Sequence, residues 1–284
     1  MLFKNVCEDL KRVIDYNYTI ELSEWLEEKI NHIISAKSTK DLYLTYSLIA
    51  SKISTDKKLL MPSGSSEVFD YLENHHANHL QLARIYMLVR VLESDDDFFT
   101  SKVSNIIQIA DTTELETFLK YLILLPNPEA YKHVAVDALR TNITPIFDAI
   151  SLNNPYPALY FNDQQWNQMF LKAVFMQRDL SAIVDIDKRA NKELARIISD
   201  YAHERWAASR DINPYSWRPV GKFLDEILLK DMEKLFQSSN EKEQIAAAIS
   251  CSLSDNDKAT KLLNRNTLLK QKVDQNLINW DTIK

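Results

Sequence analysis

Residues 190–209 read Ala190-Asn191-Lys192-Glu193-Leu194-Ala195-Arg196-Ile197-Ile198-Ser199-Asp200-Tyr201-Ala202-His203-Glu204-Arg205-Trp206-Ala207-Ala208-Ser209. Neither glycine nor proline interrupts the stretch. At 100° per residue, Leu194, Ile197, Ile198, Tyr201 and Ala208 gather within about 50° of one direction, the signature of a helix with one apolar face. Arg205 falls about 20° from Leu194, near the middle of that face. A buried arginine must be paired, because an unpaired charge in the interior is costly. Asp200 and Glu204 lie too far round the helix to face it squarely, so its partner is expected on another element. Two readings follow for Arg205: a structural ion pair that fixes helix register, or an arginine lining a pocket for an anion or carboxylate.

Outward from this stretch the same period recurs. Leu10, Val13, Ile14 and Tyr18 share one face, as do Leu22, Trp25, Leu26, Ile30 and Ile33. Further helices are expected near 38–53, 66–74, 79–94, 98–109, 113–124, 129–140, 145–152, 163–176, 221–237, 241–252 and 257–275. No stretch alternates as a strand would. Asn162 and Gln165 have capping-box spacing, and Thr144-Pro145 reads as an N-cap followed by proline at the first helical position. The fold class is therefore all-α. Short connections favour antiparallel helix pairs stacked as an α/α superhelix or irregular α-solenoid, although no sequence period is visible. A flexible loop is expected at 54–66, and a second irregular segment at 153–162 with Tyr156, Tyr160 and Phe161 as anchors. The expected organisation is an N-terminal helical part over 1–134, a core over 135–240 and a C-terminal helical cap or tail over 241–284, joined as one continuous domain.

Composition excludes several function classes. Only two glycines occur, Gly64 and Gly221. A Walker loop, a dinucleotide-binding turn and a nucleophile elbow all need more. Hairpin-rich β folds need turn residues at positive φ, and the glycine count argues against them. The net charge of −6 opposes nucleic-acid binding, which a basic excess would announce. Cys7 and Cys251 have neither zinc spacing nor a disulfide framework. No apolar run approaches the ~20 residues of a membrane helix, and charges at Glu8 and Asp9 speak against a signal peptide. A cytoplasmic location is the expectation, with no transmembrane segment and no cofactor.

Other clusters divide between chemical and structural readings. His75 and His79 are four apart and would share a helix face as zinc ligands do, but the metalloprotease glutamate is missing and the segment reads as a polar helix junction. Asp95, Asp96 and Asp97 lack the interleaving and glycine of a calcium loop and read as a helix-terminal cluster. In 163–176, Trp166, Met169, Phe170 and Ala173 form one stripe and Leu171 with Phe175 another, so the helix is expected to pack on two sides. Lys172 sits between the stripes, either contacting an anion or packing its stem while the head reaches water. Arg189 and Asn191 approach one helix N-terminus, and Arg140 and Asn142 another. Each could cap, bind an anion or tie a loop to its neighbour.

These segments together resemble a known family. Asn154-Pro155-Tyr156-Pro157 is followed by Trp166-Asn167-Gln168-Met169 with Leu171-Lys172-Ala173, then Arg189-Ala190-Asn191 with Glu193-Leu194-Ala195-Arg196, then Asp200-Tyr201-Ala202-His203-Glu204-Arg205 with Ala207-Ala208. Preceded by Leu139-Arg140-Thr141-Asn142, this series resembles the EboA-like proteins over about residues 135–220. The N-terminal half matches in helical character only. The family often has glycine in the turn where this chain has Ser209, and that departure argues against an obligatory positive φ there. The resemblance implies a bacterial or plastid gene cluster of the ebo type. Such clusters also encode a prenyltransferase-like membrane protein, a sugar-phosphate-cyclase-like enzyme and metal-dependent hydrolases, and serve secondary-metabolite precursors.

The expected function is a soluble helical binding or scaffold protein assisting the processing or export of such precursors. Its expected partners are a small anionic or isoprenoid-type metabolite and proteins of the same cluster. The alternative is an enzyme with a cation and carboxylate site acting on such a molecule. The candidate ligand-contacting residues are Arg140, Asn142, Lys172, Arg189, Asn191, Asp200, Glu204 and Arg205; no metal set and no catalytic nucleophile stands out.

Overall fold

The computed structural model describes residues 3–54 and 58–284. Residues 55–57, in the expected loop at 54–66, lie outside the described residues. The described chain is all-α: seventeen α-helices, six short 3-10 turns and no strand beyond one isolated bridge between Lys58 and Asn78. It forms two compact units, Met1–Ile150 and Ser151–Lys284.

The first unit contains α1 (Val6–Asn17), α2 (Ile20–Ala36), α3 (Thr39–Lys52), α4 (Glu67–Asn74), α5 (His79–Ser94), α6 (Asp96–Ile109), α7 (Thr112–Tyr121), α8 (Lys132–Ala138) and α9 (Thr144–Ser151). Its centre is α5, on which α1, α2, α3, α6 and α7 converge. Twelve of the sixteen α5 residues are buried, as expected of a helix covered on nearly every side. Side-chain caps define many starts. Thr19, Ser38, Ser66, Asn78, Asp95 and Asp111 each accept an amide proton from the first turn of the helix they precede.

The histidine cluster is a junction. His75 ends α4 with Nδ1 2.8 Å from the Tyr71 carbonyl, His76 turns the chain at φ +49°, and Asn78 with Gln81 closes a capping box on α5. His79 belongs to α5 and its ring stacks on Tyr18. His75 and His79 thus do not share a helix face. Among the described residues no three His, Cys, Asp or Glu side chains gather as a metal site would require.

The second unit contains α10 (Tyr156–Tyr160), α11 (Asp163–Phe175), α12 (Ile186–Arg189), α13 (Lys192–Ala207), α14 (Glu226–Phe236), α15 (Glu241–Ser252), α16 (Asp257–Arg265) and α17 (Thr267–Asp274). Its centre is α15, which packs on α14, α16, α17 and the turns Pro214–Trp217, Gly221–Phe223 and Trp280–Ile283. Eight of twelve α15 residues are buried. Beyond residue 240 the chain is therefore no loose tail, although α17 buries none of its residues.

Several boundaries differ from the sequence reading. The segment 153–162 contains the short helix α10, with Tyr156 and Phe161 buried as anchors. The helix expected over 221–237 begins only at Glu226, where Asp225 accepts the amides of Ile227 and Leu228. The single helix expected over 257–275 breaks at Asn266, whose side-chain amide donates to the Leu262 carbonyl and so competes with the backbone ladder. The second apolar stripe of α11 is only partly covered: Leu171 is half-buried and Phe175 is 69 % exposed, while Trp166, Met169, Phe170, Ala173 and Val174 are buried.

Candidate functional site

In the first unit α6 and α8 face each other across a gap. Helical spacing brings Ser104, Ile107 and Gln108 of α6 to one wall and His133, Val134, Asp137 and Ala138 of α8 to the other. Asp111, Thr112, Leu115, Thr141, Ile143 and Ile146 complete the lining. This half-open cavity measures about 460 Å³, within the range of small-molecule sites. Its aliphatic side chains alternate with hydroxyl, amide, imidazole and carboxylate groups.

A buried ion pair braces one wall of this cavity. Arg84 of α5 and Glu114 of α7 are both buried, and Nη2 of Arg84 donates to Glu114 Oε1 at 3.2 Å. Arg84 Nε donates to the Tyr46 carbonyl, the Tyr46 hydroxyl donates to the Glu114 carbonyl, and the guanidinium stands over the Tyr46 ring. Glu114 Oε2 accepts the Asp111 amide while Asp111 Oδ1 accepts the Glu114 amide, a reciprocal capping box. The Thr113 hydroxyl holds the Asp111 carboxyl below the usual carboxylate range, helped by backbone amides and the field of Arg84. The wall thus carries a fixed, ionised Asp111. Sequence reading passed over Arg84 and Glu114. Their visible signals were an arginine amid the apolar residues of 79–94 and the spacing Asp111-x-x-Glu114.

The expected site residues fall in several places. Arg140 and Asn142 belong to the first unit, both exposed. Arg140 pairs with Asp137 at 2.9 Å; of this motif only Thr141 lines the 460 Å³ cavity, and neither Arg140 nor Asn142 does. The other six lie in the second unit. Arg189 donates to the carbonyls of Pro157, Ala158 and Phe161 and to Asp163, with its guanidinium 4.9 Å from the Trp166 ring centre. Asn191 caps α13 and exchanges two hydrogen bonds with Asn167. Arg189 and Asn191 therefore clamp α10 and α11 to the start of α13. Asp200 pairs with Arg196 on the exposed side of α13, and Glu204 is exposed. Lys172 is partly buried, and desolvation lowers its pKa.

Arg205 departs from expectation in its burial, although its partner does lie outside its own helix. It is only partly buried, and Nε and Nη2 donate to the Asp211 carbonyl just beyond its own helix. The buried face of α13 runs through Leu194, Ala195, Ile198, Ser199 and Ala202, roughly a quarter turn from the face read off the large apolar residues. Small side chains define it, because they let neighbouring helices approach. Arg205 borders a separate cavity of about 390 Å³ with Tyr201, Asp211, Asn213 and Asn240; Lys172 is not among its lining residues. Ser209 has φ +55°, so the turn keeps its left-handed geometry without glycine, contrary to the sequence inference.

One further polar group was not legible. Asp231 of α14 is buried and accepts from Ser199 Oγ at 2.6 Å, with His203 Nε2 also 2.6 Å away. No local spacing announces this network, because Asp231 is on a different helix.

Fold and cavities define an all-helical protein with room for small molecules inside its helical units. The chain belongs to the EboA family: the family model described as metabolite traffic protein EboA matches residues 6–221. The match begins far upstream of 135–220, so the N-terminal helices are family sequence too. No curated protein and no solved structure matches the chain. Among the described residues no helix is long and apolar enough to cross a membrane.

Proposed function

We propose that this protein is a helical binding protein that holds a small metabolite in the cavity between α6 and α8 and presents it to the processing or export machinery encoded beside it. The observation that carries this reading is the 460 Å³ cavity itself, which Thr141 of the family-like segment Leu139-Arg140-Thr141-Asn142 helps to line. Asp111 and Asp137 stand at this cavity with aliphatic walls between them. That chemistry disfavours an anion and suits an apolar, isoprenoid-type body bearing hydroxyl groups that donate to the rim carboxylates. Arg189 and Asn191 are then positioning residues of the fold, which agrees with their bonds to backbone and to Asn167.

The test is native mass spectrometry of the chain purified gently from its own host, beside a Ser104→Trp variant whose indole would fill the cavity. The wild type is expected to carry a small molecule that the folded variant lacks. Equal retention by the folded variant places the molecule elsewhere; a wild type that carries only a protein partner overturns the ligand reading in favour of a scaffold.

A further inference from the structure

The second unit contains a cavity of about 380 Å³ whose walls come from α15, from the C-terminal residues 273–280 and from the turn after Trp217. Its body is apolar: Ile249 and Leu253 on one side, Val273, Ile278 and Trp280 on the other. Its charged groups are Arg218, Lys222 and Asp187. Arg218 is held rigidly: Nε and Nη2 engage the Asp187 carboxylate as a fork, and Nη1 donates to the Tyr215 hydroxyl. Three of its five N–H groups are thereby used and two remain. Lys222 is exposed and forms no ion pair among the described residues. Asp281 feels the charge of Arg218 but is itself paired with Lys284 at 2.7 Å. Among the lining residues the balance is therefore two cations against one carboxylate, which Arg218 already engages, so the charge of Lys222 is left over.

One of the two glycines builds this mouth. A Cβ on Gly221 would stand 2.9 Å from the Ser250 carbonyl oxygen and 3.1 Å from Ser250 Cα. The backbone of the turn therefore lies directly on α15, and Arg218 and Lys222 are delivered to the cavity from a fixed support.

We propose that this cavity is a second ligand site, which takes a small molecule with an aliphatic body and one anionic group. The body lies against Leu253, Val273, Ile278 and Trp280, and the anionic group meets Lys222 and the remaining N–H groups of Arg218. The ion pair with Asp187 fixes the guanidinium without consuming its outward donors, and Lys222 supplies the charge that the fork has neutralised. This inference is independent of the α6–α8 cavity, which bears carboxylates where this one bears cations.

The probe is decanoate, with decanol as its neutral counterpart, titrated into the full chain and followed by tryptophan fluorescence and by calorimetry. Decanoate is expected to bind saturably and to perturb Trp280 emission, so that Trp280→Phe removes the fluorescence change but leaves the heat. Lys222→Met, at an exposed position, should weaken decanoate by about tenfold and leave decanol unchanged. Leu253→Trp, which fills the cavity from a half-exposed position, should abolish both. Ser104→Trp in the other unit should leave decanoate binding unaltered, which separates this site from the one proposed above. No saturable decanoate binding, or equal decanoate affinity in wild type and Lys222→Met, overturns the proposal.

Discussion

Ser209 occupies the left-handed region at the end of α13, where the Arg210 amide reaches back to the Arg205 carbonyl. A side chain in that conformation costs about 1–2 kcal/mol, and glycine removes that strain at an entropic cost of about 0.5–1. Ser209→Gly is therefore expected to stabilise the protein by about 0.5–1 kcal/mol, read as a higher urea midpoint at unchanged slope. Glycine scarcity was a sound guide to fold class and a poor one to backbone geometry. Among the described residues nine other than glycine stand at positive φ, four of them asparagines: Asn5, Asn127, Asn153 and Asn276. Asparagine tolerates this region because its short polar side chain bonds locally. Arg205 illustrates the opposite error. Its helical angle is right, but it lies in the last turn and bonds one backbone carbonyl at the surface. Arg205→Ala should accordingly cost about 1–2 kcal/mol, not the 3–5 of a buried pair. A loss of 3 kcal/mol or more in denaturant titration would restore the buried reading.

At the scale of elements, buried polar contacts tie α5 to α7 and α13 to α14. Glu114→Ala strands the buried Arg84 guanidinium and should destabilise the chain by about 3–5 kcal/mol, whereas the double variant Arg84→Met/Glu114→Leu should lose less than either single change. Denaturant titration of the three variants decides it. Asp95 links the start of α6 to α2's end: it accepts the Phe98 amide and pairs with Lys37, and the lysine bond leads in pulling its pKa down. A depressed carboxyl contributes stability above its unfolded pKa, near 4, and that contribution disappears as pH falls through the lower folded value. Asp95→Asn keeps the cap but not the charge. Its stability deficit should be full at neutral pH, begin to shrink as pH falls below about 4, and vanish once pH is below the depressed folded value. A deficit that persists there would show that the cap, not the ion pair, was lost. Helix existence was legible because a period of 3.6 is written in each segment. Which face is buried was less legible, since Ala195, Ser199 and Ala202 pack more deeply than Ile197 and Tyr201.

At the scale of the whole chain, the family match ends at residue 221 while the second unit's core does not. The turns Pro214–Trp217 and Gly221–Phe223 rest on α15, and Asp231 receives Ser199. A chain truncated after residue 221 is therefore expected to keep the first unit folded and lose the second. Limited proteolysis should leave a stable fragment ending near residue 150; equal protection of residues 151–221 would show that the matched segment folds alone. The candidate site was legible only as motifs. The Arg140–Asn142 motif touches the cavity only through Thr141, and the walls come from α6 and α8, whose residues Ser104, Gln108 and His133 carry no distinguishing pattern.

The placement of α15 at the centre of its unit sets a timetable for biosynthesis. The ribosome delivers the chain from the N-terminus, and domains close as soon as their parts have emerged. Everything that the first unit needs is available by residue 150, whereas α14 and the turns Pro214–Trp217 and Gly221–Phe223 must wait for a helix made after them. Until residue 252 has left the exit tunnel, α14 and the turns Pro214–Trp217 and Gly221–Phe223 lack the helix on which they pack. The nascent protein thus passes through a stage with one finished half and one sticky half, and a pause in translation between residues 221 and 252 would prolong it.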